Sequence, residues 1–523
     1  MKTLLLITLF LSFTLCVQSQ PNIEWSEMTK ATGKMISILP NSGKNFYALR
    51  WTGGFLLGNM TISNHENFAL TATGKVMMQA NESMATFEGA TSFNGKLYIF
   101  LSNRTDNKNH LFMQEYDREM NRVGDAKELA SFDMEKGKSK GAFTILTSRN
   151  KQFFGVVWVI PGKKDEQDSY GFKVFDTEMN TTIDGEYKLP YPGKLSEISE
   201  HYLTNKGDYF ISVMEYSEPE EKKLFRNYLY YKAMHILQLT NEGIEVFDID
   251  IDGKRVEAMT MSSDNEHVFT LIGIYGNMGK SGVSGLFYLR ADFDKKALID
   301  QGFEEFGTDF ITQDWTDREK EKAQKKEEKG KGEPQLYNYV VRQSEVLKDG
   351  SIVGSMEQYY VTMRTYTDPR TGMVSTTYTY YYKDIIAFKV GQSGGFDWLK
   401  RIDKYQVSTN DGGPFSSYER YVNDGKLCFI FNDNINNYDE QGNFIPKEKI
   451  SPANISKKNN AVAFVELDLT TGEMMRKTLF DRKEIGAVAV PKLFQIDYTT
   501  NELLLYAIIY GKKERFGLLK IND

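Results

Sequence analysis

The chain has 523 residues, a net charge of −7 at pH 7, 41% hydrophobic, 26% charged and 13% aromatic residues. The hydrophobic and charged fractions are those of an ordinary globular protein, and the aromatic content favours strands over helices. Because the acidic balance leaves no basic surplus to attract polyanions, we expect no nucleic-acid partner and no binding to an anionic membrane.

The N-terminus has the pattern of a signal peptide. Lys2 precedes the apolar run LLLITLFLSFTLCV, and the small and permissive residues of VQS allow cleavage after Ser19. We therefore expect residues 1–19 to be removed and 20–523 to form one exported domain, periplasmic or extracellular. A buried strand, a membrane anchor or lipidation at Cys16 are the alternatives. No second apolar run reaches membrane length, so the sequence predicts no transmembrane segment.

Cleavage at that position leaves Cys428 as the only cysteine. An exported chain of this length without a disulfide is typical of a bacterial envelope rather than of animal secretion. Cys428 lies in the apolar stretch GKLCFIF, which indicates a buried small hydrophobe rather than a nucleophile.

A unit made of a polar turn and an apolar strand recurs along the chain. Its eight copies are SGKNFYALRW, NGKLYIFLS, NKQFFGVVWV, KGDYFISVMEY, NEHVFTLIGIY, DGSIVGSMEQYY, DGKLCFIFND and NELLLYAIIY. A further apolar strand follows the units, so the period is that of a sheet-forming repeat. The sequence therefore predicts an all-β fold, a β-propeller of eight blades with mostly four antiparallel strands each. Seven blades, or a series of β-sandwiches, are the alternatives.

The final unit is one strand short, because the chain ends after RFGLLKIND. The segment NIEWSEMTK near the start of the mature chain can supply the missing outer strand. Such a pairing would close the ring and remove an exposed sheet edge.

Three long insertions separate or extend the later units: 313–335, 361–377 and 434–459. In a four-stranded blade, the connection between the second and third strands lies on the same side as the link to the next blade. We therefore expect all three insertions to lie on one face, where loops on a rigid scaffold commonly bind ligands.

The second insertion contains the sequence RTYTDPRTGMVSTTYTYYYKD, which predicts a long hairpin with its turn at 368–372. That turn would place the candidate side chains of both strands on one face of the hairpin. Tyrosine, with an apolar ring and a polar hydroxyl group, is suited to binding sugars or protein partners. The candidate ligand-binding residues are Arg364, Tyr366, Tyr378, Tyr380 and Tyr382. Packing against the next insertion, or cross-strand pairing that stiffens the hairpin, is the alternative interpretation.

One segment resembles a calcium loop. Asp248, Asp250 and Asp252 alternate in DIDIDGKRVE and can offer oxygen ligands, but Val256 and Met259 occupy positions where a calcium loop carries acids. We favour a strand with these aspartates facing outward, and keep calcium as the one candidate cofactor.

No reaction motif was found. The five histidines are scattered, and the chain lacks a nucleophile elbow, a phosphate loop and a dinucleotide fingerprint. Segments YYYKDIIAFKV, GGFDWLKRIDKYQ, NDGGPFSSY and FIFNDN, within 380–434, resemble exported propeller-like proteins of Bacteroidota. The resemblance covers about a fifth of the chain; it implies lineage and fold and carries over no catalytic residue.

These observations predict a non-catalytic, monomeric binding or scaffold protein that recognises a glycan or a protein through the face with the insertions. A hydrolase or lyase acting on polysaccharide or peptidoglycan is the rival; it needs paired carboxylates, or a tyrosine with a carboxylate, in a central pocket. A structural component of a surface assembly is the third alternative.

Overall fold

The computed structural model describes residues 21–521 apart from 54–57, 135–141, 163–165, 219–229, 252, 266, 279–281, 313–316, 328–335, 368–369, 372, 448, 454–458 and 510–511. The signal-peptide prediction concerns residues outside this part. Within it, none of the helices combines the length and the apolar character that crossing a membrane requires.

The described residues form eight sheets of at least four strands, each built from consecutive antiparallel strands. Two short strands precede them, β1 (Ile23–Trp25) and β2 (Thr29–Lys30). The first sheet contains β3 (Lys34–Pro40), β4 (Phe46–Thr52), β5 (Asn59–Glu66) and β6 (Ala69–Lys75), followed by the small hairpin β7 (Gln79–Ala80) and β8 (Ser83–Met84). The second sheet contains β9 (Thr86–Phe93), β10 (Lys96–Thr105), β11 (Lys108–Tyr116) and β12 (Arg122–Asp133).

The next three sheets repeat this order. The third contains β13 (Ala142–Thr147), β14 (Phe154–Ile160), β15 (Gln167–Phe175) and β16 (Thr181–Pro192). The fourth contains β17 (Ser196–Leu203), β18 (Tyr209–Ser217), β19 (Tyr230–Leu239) and β20 (Ile244–Ile249). The fifth contains β21 (Lys254–Asn265), β22 (Val268–Asn277), β23 (Gly285–Asp292) and β24 (Ala297–Glu305).

The last three sheets are more elaborate. The sixth contains β25 (Tyr339–Val346), β26 (Ile352–Thr367), β27 (Val374–Val390), β28 (Phe396–Ile402) and β29 (Gln406–Thr409). The seventh contains β30 (Glu419–Asn423), β31 (Lys426–Asn434), β32 (Asn460–Asp468) and β33 (Met474–Asp481). The eighth contains β34 (Val488–Ala489), β35 (Gln495–Asp497), β36 (Glu502–Ile509) and β37 (Lys513–Lys520). Helices are short: α1 (Thr308–Ile311), α2 (Asp317–Glu327), α3 (Arg482–Ile485) and 3-10 turns at Gly193–Leu195, Ile435–Asn437 and Pro491–Leu493.

The eight repeated apolar segments of the sequence are the second strands of the eight sheets, from β4 to β36. These strands are buried along most of their length on both faces, which explains their nearly continuous apolar composition. The fourth strands alternate or are mostly exposed, as in β6, since they lie at the outer edge. The all-β prediction and the succession of four-stranded units are confirmed.

Eight hydrophobic clusters hold the sheets together, and each lies between two neighbouring sheets. Seven of them join the sheets in chain order. The eighth joins the first sheet to the last one, for example through Ile38, Phe46, Tyr506 and Phe516. Burial of apolar area between successive sheets is therefore the main source of stability.

The N-terminal segment completes the eighth sheet. Ile23 pairs with Leu519 and Trp25 with Gly517, so β1 lies antiparallel to β37 as its outer neighbour. This is the pairing predicted for NIEWSEMTK. The first strands of the first six sheets contact one another in succession, and β3 of the first sheet contacts β35 of the eighth.

Two of the three insertions are connected through the same short strand, β29. The 361–377 segment prolongs β26 and β27, and the prolonged β27 pairs with β29. Gln406 of β29 forms a bridge to Ala453 in the 434–459 insertion. In the 313–335 insertion, only the helix α2 is described, so its expected position on the same face stays a prediction.

Candidate binding site

The strands β26 and β27 extend far beyond the sixth sheet as a hairpin. Their outer pairing runs from Tyr359 opposite Tyr382 to Thr367 opposite Val374. The ring centres of Tyr359 and Tyr382 lie 4.7 Å apart. Those of the next pair, Tyr360 and Tyr381, lie at the same distance, and these two rings are stacked. Aromatic cross-strand pairs of this kind stiffen a hairpin, as the alternative interpretation anticipated.

The expectation that all five candidate residues share one face is wrong. Met363 lies opposite Tyr378 and Arg364 opposite Thr377, so Arg364 and Tyr366 lie on the other face from Tyr378. The connection between the paired strands spans 368–373, six residues rather than the predicted five. As a result, even-numbered residues in the outer part of β26 lie opposite odd-numbered residues of β27, and not opposite even-numbered ones as predicted. A register shift between Glu357 and Tyr359 accommodates this change.

The corrected register gives each face of the hairpin its own composition. One face carries Tyr382, Tyr380 and Tyr378, which we call the tyrosine row. Tyr382 is buried, Tyr380 is partly exposed, and Tyr378 is 44% exposed. The opposite face carries the exposed Arg364 and Tyr366. The row therefore runs from the body of the protein outward to the tip.

A cavity of about 620 Å³ lies at the base of the tyrosine row, between the sixth, seventh and eighth sheets. Its walls come from first strands and from the ends of the hairpin strands. The lining residues are Arg342, Tyr359, Tyr382, Ser417, Tyr418, Glu419, Pro491, Lys492, Phe494, Gln495, Ile496 and Tyr498. Aromatic walls with a few charged groups are typical of small-ligand sites.

Lys492 connects the predicted tyrosines to this pocket. It lies in the 3-10 turn Pro491–Leu493, and its Nζ donates to Tyr382 Oη at 2.7 Å and to Gly412 O at 3.3 Å. The ammonium also lies 4.5 Å from the centre of the Tyr382 ring. Burial lowers the pKa of Lys492, the nearby Arg342 charge lowers it further, and Glu357 and Asp411 oppose the shift.

Behind the pocket wall lies a fully buried carboxylate. Arg342 Nε and Nη2 donate to Glu357 Oε2 at 2.9 and 2.6 Å, and Lys404 Nζ donates to Oε1 at 2.8 Å. Ser417 Oγ donates to Oε2 at 2.9 Å. Burial acts to raise the pKa of Glu357, but the two cations and their hydrogen bonds outweigh it and hold the pKa below its usual value. Lys404 is equally buried.

Glu419 brings a carboxyl group of different character to the pocket. Burial raises its pKa to about 7, against the opposing effect of Arg420. The same effect raises the pKa of the neighbouring tyrosines Tyr418 and Tyr498 above the ordinary value. At neutral pH, Glu419 is therefore only about half ionised, whereas the wall with Lys492 and Arg342 carries two cations.

Two basic residues of the third sheet contact the rim of the pocket. The Arg149 guanidinium lies 4.5 Å from the centre of the Tyr498 ring, and its Nη2 lies 2.8 Å from Glu345 Oε1. Lys151 Nζ lies 3.3 Å from Asp497 Oδ2. The turn between β13 and β14 thus contacts the sixth and eighth sheets, which places the pocket near the middle of the molecule.

The candidate calcium residues lie elsewhere, at the outer edge of the fourth sheet. Phe247 and Ile249 are buried and Asp248 and Asp250 exposed, so the strand interpretation holds for this part; residue 252, the third aspartate Asp252, lies outside the described residues. Asp248 Oδ1 lies 2.7 Å from Nδ1 of His235. Across the described ranges, no group of three potential metal-ligating side chains is found, and calcium stays an untested prediction.

Sequence reasoning missed the charged residues of the pocket but was right about the free cysteine, which is buried at 0% exposure and whose thiol pKa is raised by burial. A signal for the missed residues was present: Glu357 interrupts the apolar strand IVGSME, and Lys492 interrupts AVAVPKLF. A charge inside an apolar run usually has a buried partner or a function.

The order of the sheets, each a meander of antiparallel strands packed on the next, defines an all-β protein of the β-propeller class. No family model and no curated protein matches the chain.

Among solved structures, the WD40 domain of SCAP from fission yeast is similar at 8% identity and a TM-score of 0.39, over 96% of this chain and 99% of that one. The β-propeller domain of the Trilobed protease from Pyrococcus furiosus gives 10% identity and a TM-score of 0.34, over 87% and 97%. Sqt1 from Chaetomium thermophilum gives 8% identity and a TM-score of 0.35, over 94% and 95%. These likenesses are distant, and the class rests on the sheet order.

Proposed function

We propose that this protein is an exported, non-catalytic binding propeller that recognises a glycan or a protein partner along the tyrosine row and in the pocket at its base. Residues 1–19 serve as the signal peptide that directs it out of the cytoplasm. The scaffold is a closed ring of eight blades, a view supported by the cluster between the first and eighth sheets and by the β1–β37 pairing.

The observation that carries the proposal is the continuity between hairpin and pocket. Tyr378 and Tyr380 lead along one face to Tyr382, which lines the pocket and accepts a hydrogen bond from Lys492. A ligand with flat apolar faces and hydroxyl groups can stack on the row while its end enters the cavity. The rigid pairing with β29 keeps the base of the row ordered before binding, which lowers the entropic cost of association.

The two faces of the hairpin provide a matched test. The double variant Tyr378→Ser/Tyr380→Ser alters the row, and Arg364→Ser/Tyr366→Ser alters the opposite face three positions nearer the tip. The mature protein and both variants would be applied to a glycan array, and positive ligands would be measured by isothermal titration calorimetry. We expect the row variant to weaken binding about tenfold or more and the opposite-face variant to bind like the wild type.

An equal loss of ligand binding in both variants would remove the row from the proposal, because the effect would then not depend on which face of the hairpin is changed. Loss of binding in the opposite-face variant alone would place the recognition surface there. Circular dichroism and the thermal midpoint of each variant would verify that the sheets remain folded.

A second candidate function has one observation in its favour. Glu419 has a pKa of about 7, and Tyr418 and Tyr498 line the same cavity, an arrangement that suits general acid or base chemistry on a polysaccharide. Glu419 is the one carboxylate among the described residues that line the cavity, whereas hydrolysis of glycosides commonly uses two. Release of reducing ends from an acidic polysaccharide by the wild type, and its loss in Glu419→Gln, would favour the enzyme.

A further inference from the structure

The charges around the pocket do not balance. Glu357 is a single carboxylate shared by two cations, Arg342 and Lys404. Lys492 adds a third cation to the same region, and its pKa is influenced by both Arg342 and Glu357, which shows that these groups lie within electrostatic range of each other. Three cations therefore lie near one buried carboxylate. Lys404 is fully buried with Glu357, whereas solvent, and hence a ligand, can reach Arg342 and Lys492.

The remaining acids near the pocket compensate this excess only in part. Asp411 acts on Lys492 from the exposed turn 409–412, and its Oδ1 accepts a hydrogen bond from the backbone of Gly413 at 2.8 Å. Asp384 accepts a hydrogen bond from its own cation, Arg401, at 2.6 Å. Glu419 is close to half protonated at neutral pH. The pocket thus keeps a net positive character in its resting state.

Lys492 is the cation that is placed to contact a ligand. Its ammonium has three donors, and the structure assigns two of them to Tyr382 Oη and Gly412 O. Within the described part of the chain, no carboxylate lies within ion-pair distance of it. Lys492 is exposed where it lines the cavity, so an anion that enters can reach the ammonium and supply the opposite charge that the protein does not.

We propose that the pocket binds the carboxylate of an acidic saccharide, such as a uronic acid unit, with Lys492 as the contacting cation and Arg342 as the second positive group. This inference rests on the proposed function, since the neighbouring sugar units would stack on the tyrosine row. The cavity of about 620 Å³ falls within the range of about 300–1,000 Å³ that is typical of small-ligand sites. The aromatic walls favour a sugar acid over a bare inorganic anion, which has no ring to stack.

The test compares two probes with the same sugar backbone: tetragalacturonate, with ionised carboxylates, and its fully methyl-esterified form, in which each carboxylate is replaced by a neutral methyl ester. Binding to the mature protein would be measured by calorimetry at pH 7. We expect the free acid to bind about tenfold tighter than the ester, the difference that one charge-assisted hydrogen bond supplies. Inorganic phosphate would be titrated as a competitor to separate an acidic sugar from a simple anion site.

The variants isolate the contacting cation. Lys492→Met keeps most of the length of the unbranched side chain and removes its charge, so it should abolish the preference for the acid, whereas Lys492→Arg should retain it. Lys96→Met, an exposed lysine of the second sheet that pairs with Glu115, is the control and should bind like the wild type. Equal binding of acid and ester to the wild type would overturn the inference while leaving the row-dependent binding intact.

The possible negative results distinguish a failure of this inference from a failure of the proposed function. Binding of both probes with an effect of the row variant but none of Lys492→Met overturns the charge inference alone. Absence of binding to either probe, together with an empty glycan array, overturns this inference and the proposed function. Competition by phosphate as strong as that of the tetrasaccharide would assign the site to a simple anion instead.

Discussion

At the scale of single residues, two glutamates, one lining the pocket and one behind its wall, have environments that shift their pKa values in opposite directions. Glu357 is fully buried but has two cations and a serine hydroxyl as partners, so its carboxylate stays ionised. Glu419 is partly buried without a comparable set of cationic donors, and desolvation raises its pKa to about 7. Desolvation acts to raise the pKa of both glutamates, and the number of cations hydrogen-bonded to each carboxylate decides whether the pKa ends above or below its usual value.

The raised pKa of Glu419 predicts a pH-dependent contribution to stability. Because the folded protein keeps this proton up to about pH 7, the contribution is complete below the unfolded pKa of 4.5 and is lost as the pH rises through 7. Glu419→Gln removes the titration. We expect the variant to gain about 2 kcal/mol relative to the wild type between pH 5 and pH 8, allowing for partial exposure of the group.

Urea denaturation of both proteins at the two pH values would measure this difference, and the contributions of other groups cancel because both proteins contain them. His65 and His201, whose pKa values are lowered to about 4, act in the opposite direction between pH 4 and 6.5 in both proteins. Parallel pH curves for wild type and variant would contradict the assignment.

At the scale of elements, the hairpin combines an ordered base with an exposed tip. At the base, Tyr380 pairs with Ser408 and Tyr382 with Gln406, so β29 supports β27. Toward the tip, Met363, Tyr366 and Val374 are more than 60% exposed. Exposed apolar strands are a hazard for association, so the proposed recognition role would account for a long hairpin that contributes so few buried contacts.

Shortening the hairpin should therefore leave the fold intact. Replacing residues 363–378 by Asn-Gly joins Thr362 to Thr379, which already face each other, through a favoured two-residue turn. We expect the free energy of unfolding to change by less than about 1 kcal/mol, because only exposed contacts are lost. Denaturant titration would measure it.

The control for that experiment is Tyr382→Ala, which removes a buried ring at the base and should cost about 3 kcal/mol or more. If the shortened hairpin were as damaging as the control, the tip would have a structural role and the recognition role would lose its main support.

At the scale of the whole molecule, the junction between the first and eighth sheets combines apolar and ionic contacts. Arg50 Nη1 lies 2.6 Å from Glu514 Oε2, and Tyr506 donates to the same oxygen at 2.8 Å. Both charged side chains are about 95% buried. This pair joins residues 464 positions apart, so it forms only when the two ends of the chain come together.

Breaking that pair should destabilise the protein strongly. Glu514→Ala leaves the Arg50 guanidinium buried without its carboxylate, and we expect a loss of about 3–5 kcal/mol. Glu24→Ala removes the exposed pair Glu24–Lys44 at the same junction and should cost less than about 1 kcal/mol. Thermal and urea unfolding of the two variants would test the comparison, and equal effects would contradict a buried junction.

Much of the scaffold follows from local sequence. Strands such as FYALRWT and ELLLYAII are apolar along both faces because they lie between neighbouring sheets, and this is visible without coordinates. The incomplete final unit likewise pointed to an N-terminal strand as the partner of β37. In contrast, the face on which Arg364 lies depends on a single register shift near Glu357, which no local pattern reveals.

The sequence by itself determined the strands, their grouping into successive sheets and the burial of Cys428, because these depend on the period of apolar residues along neighbouring positions. Only the tertiary structure decided the pocket, since Arg342, Glu419 and Lys492 come from three different sheets and meet through long-range packing. The physical reason is that alternation specifies which side of a strand is buried, whereas register and the docking of sheets decide which side chains meet.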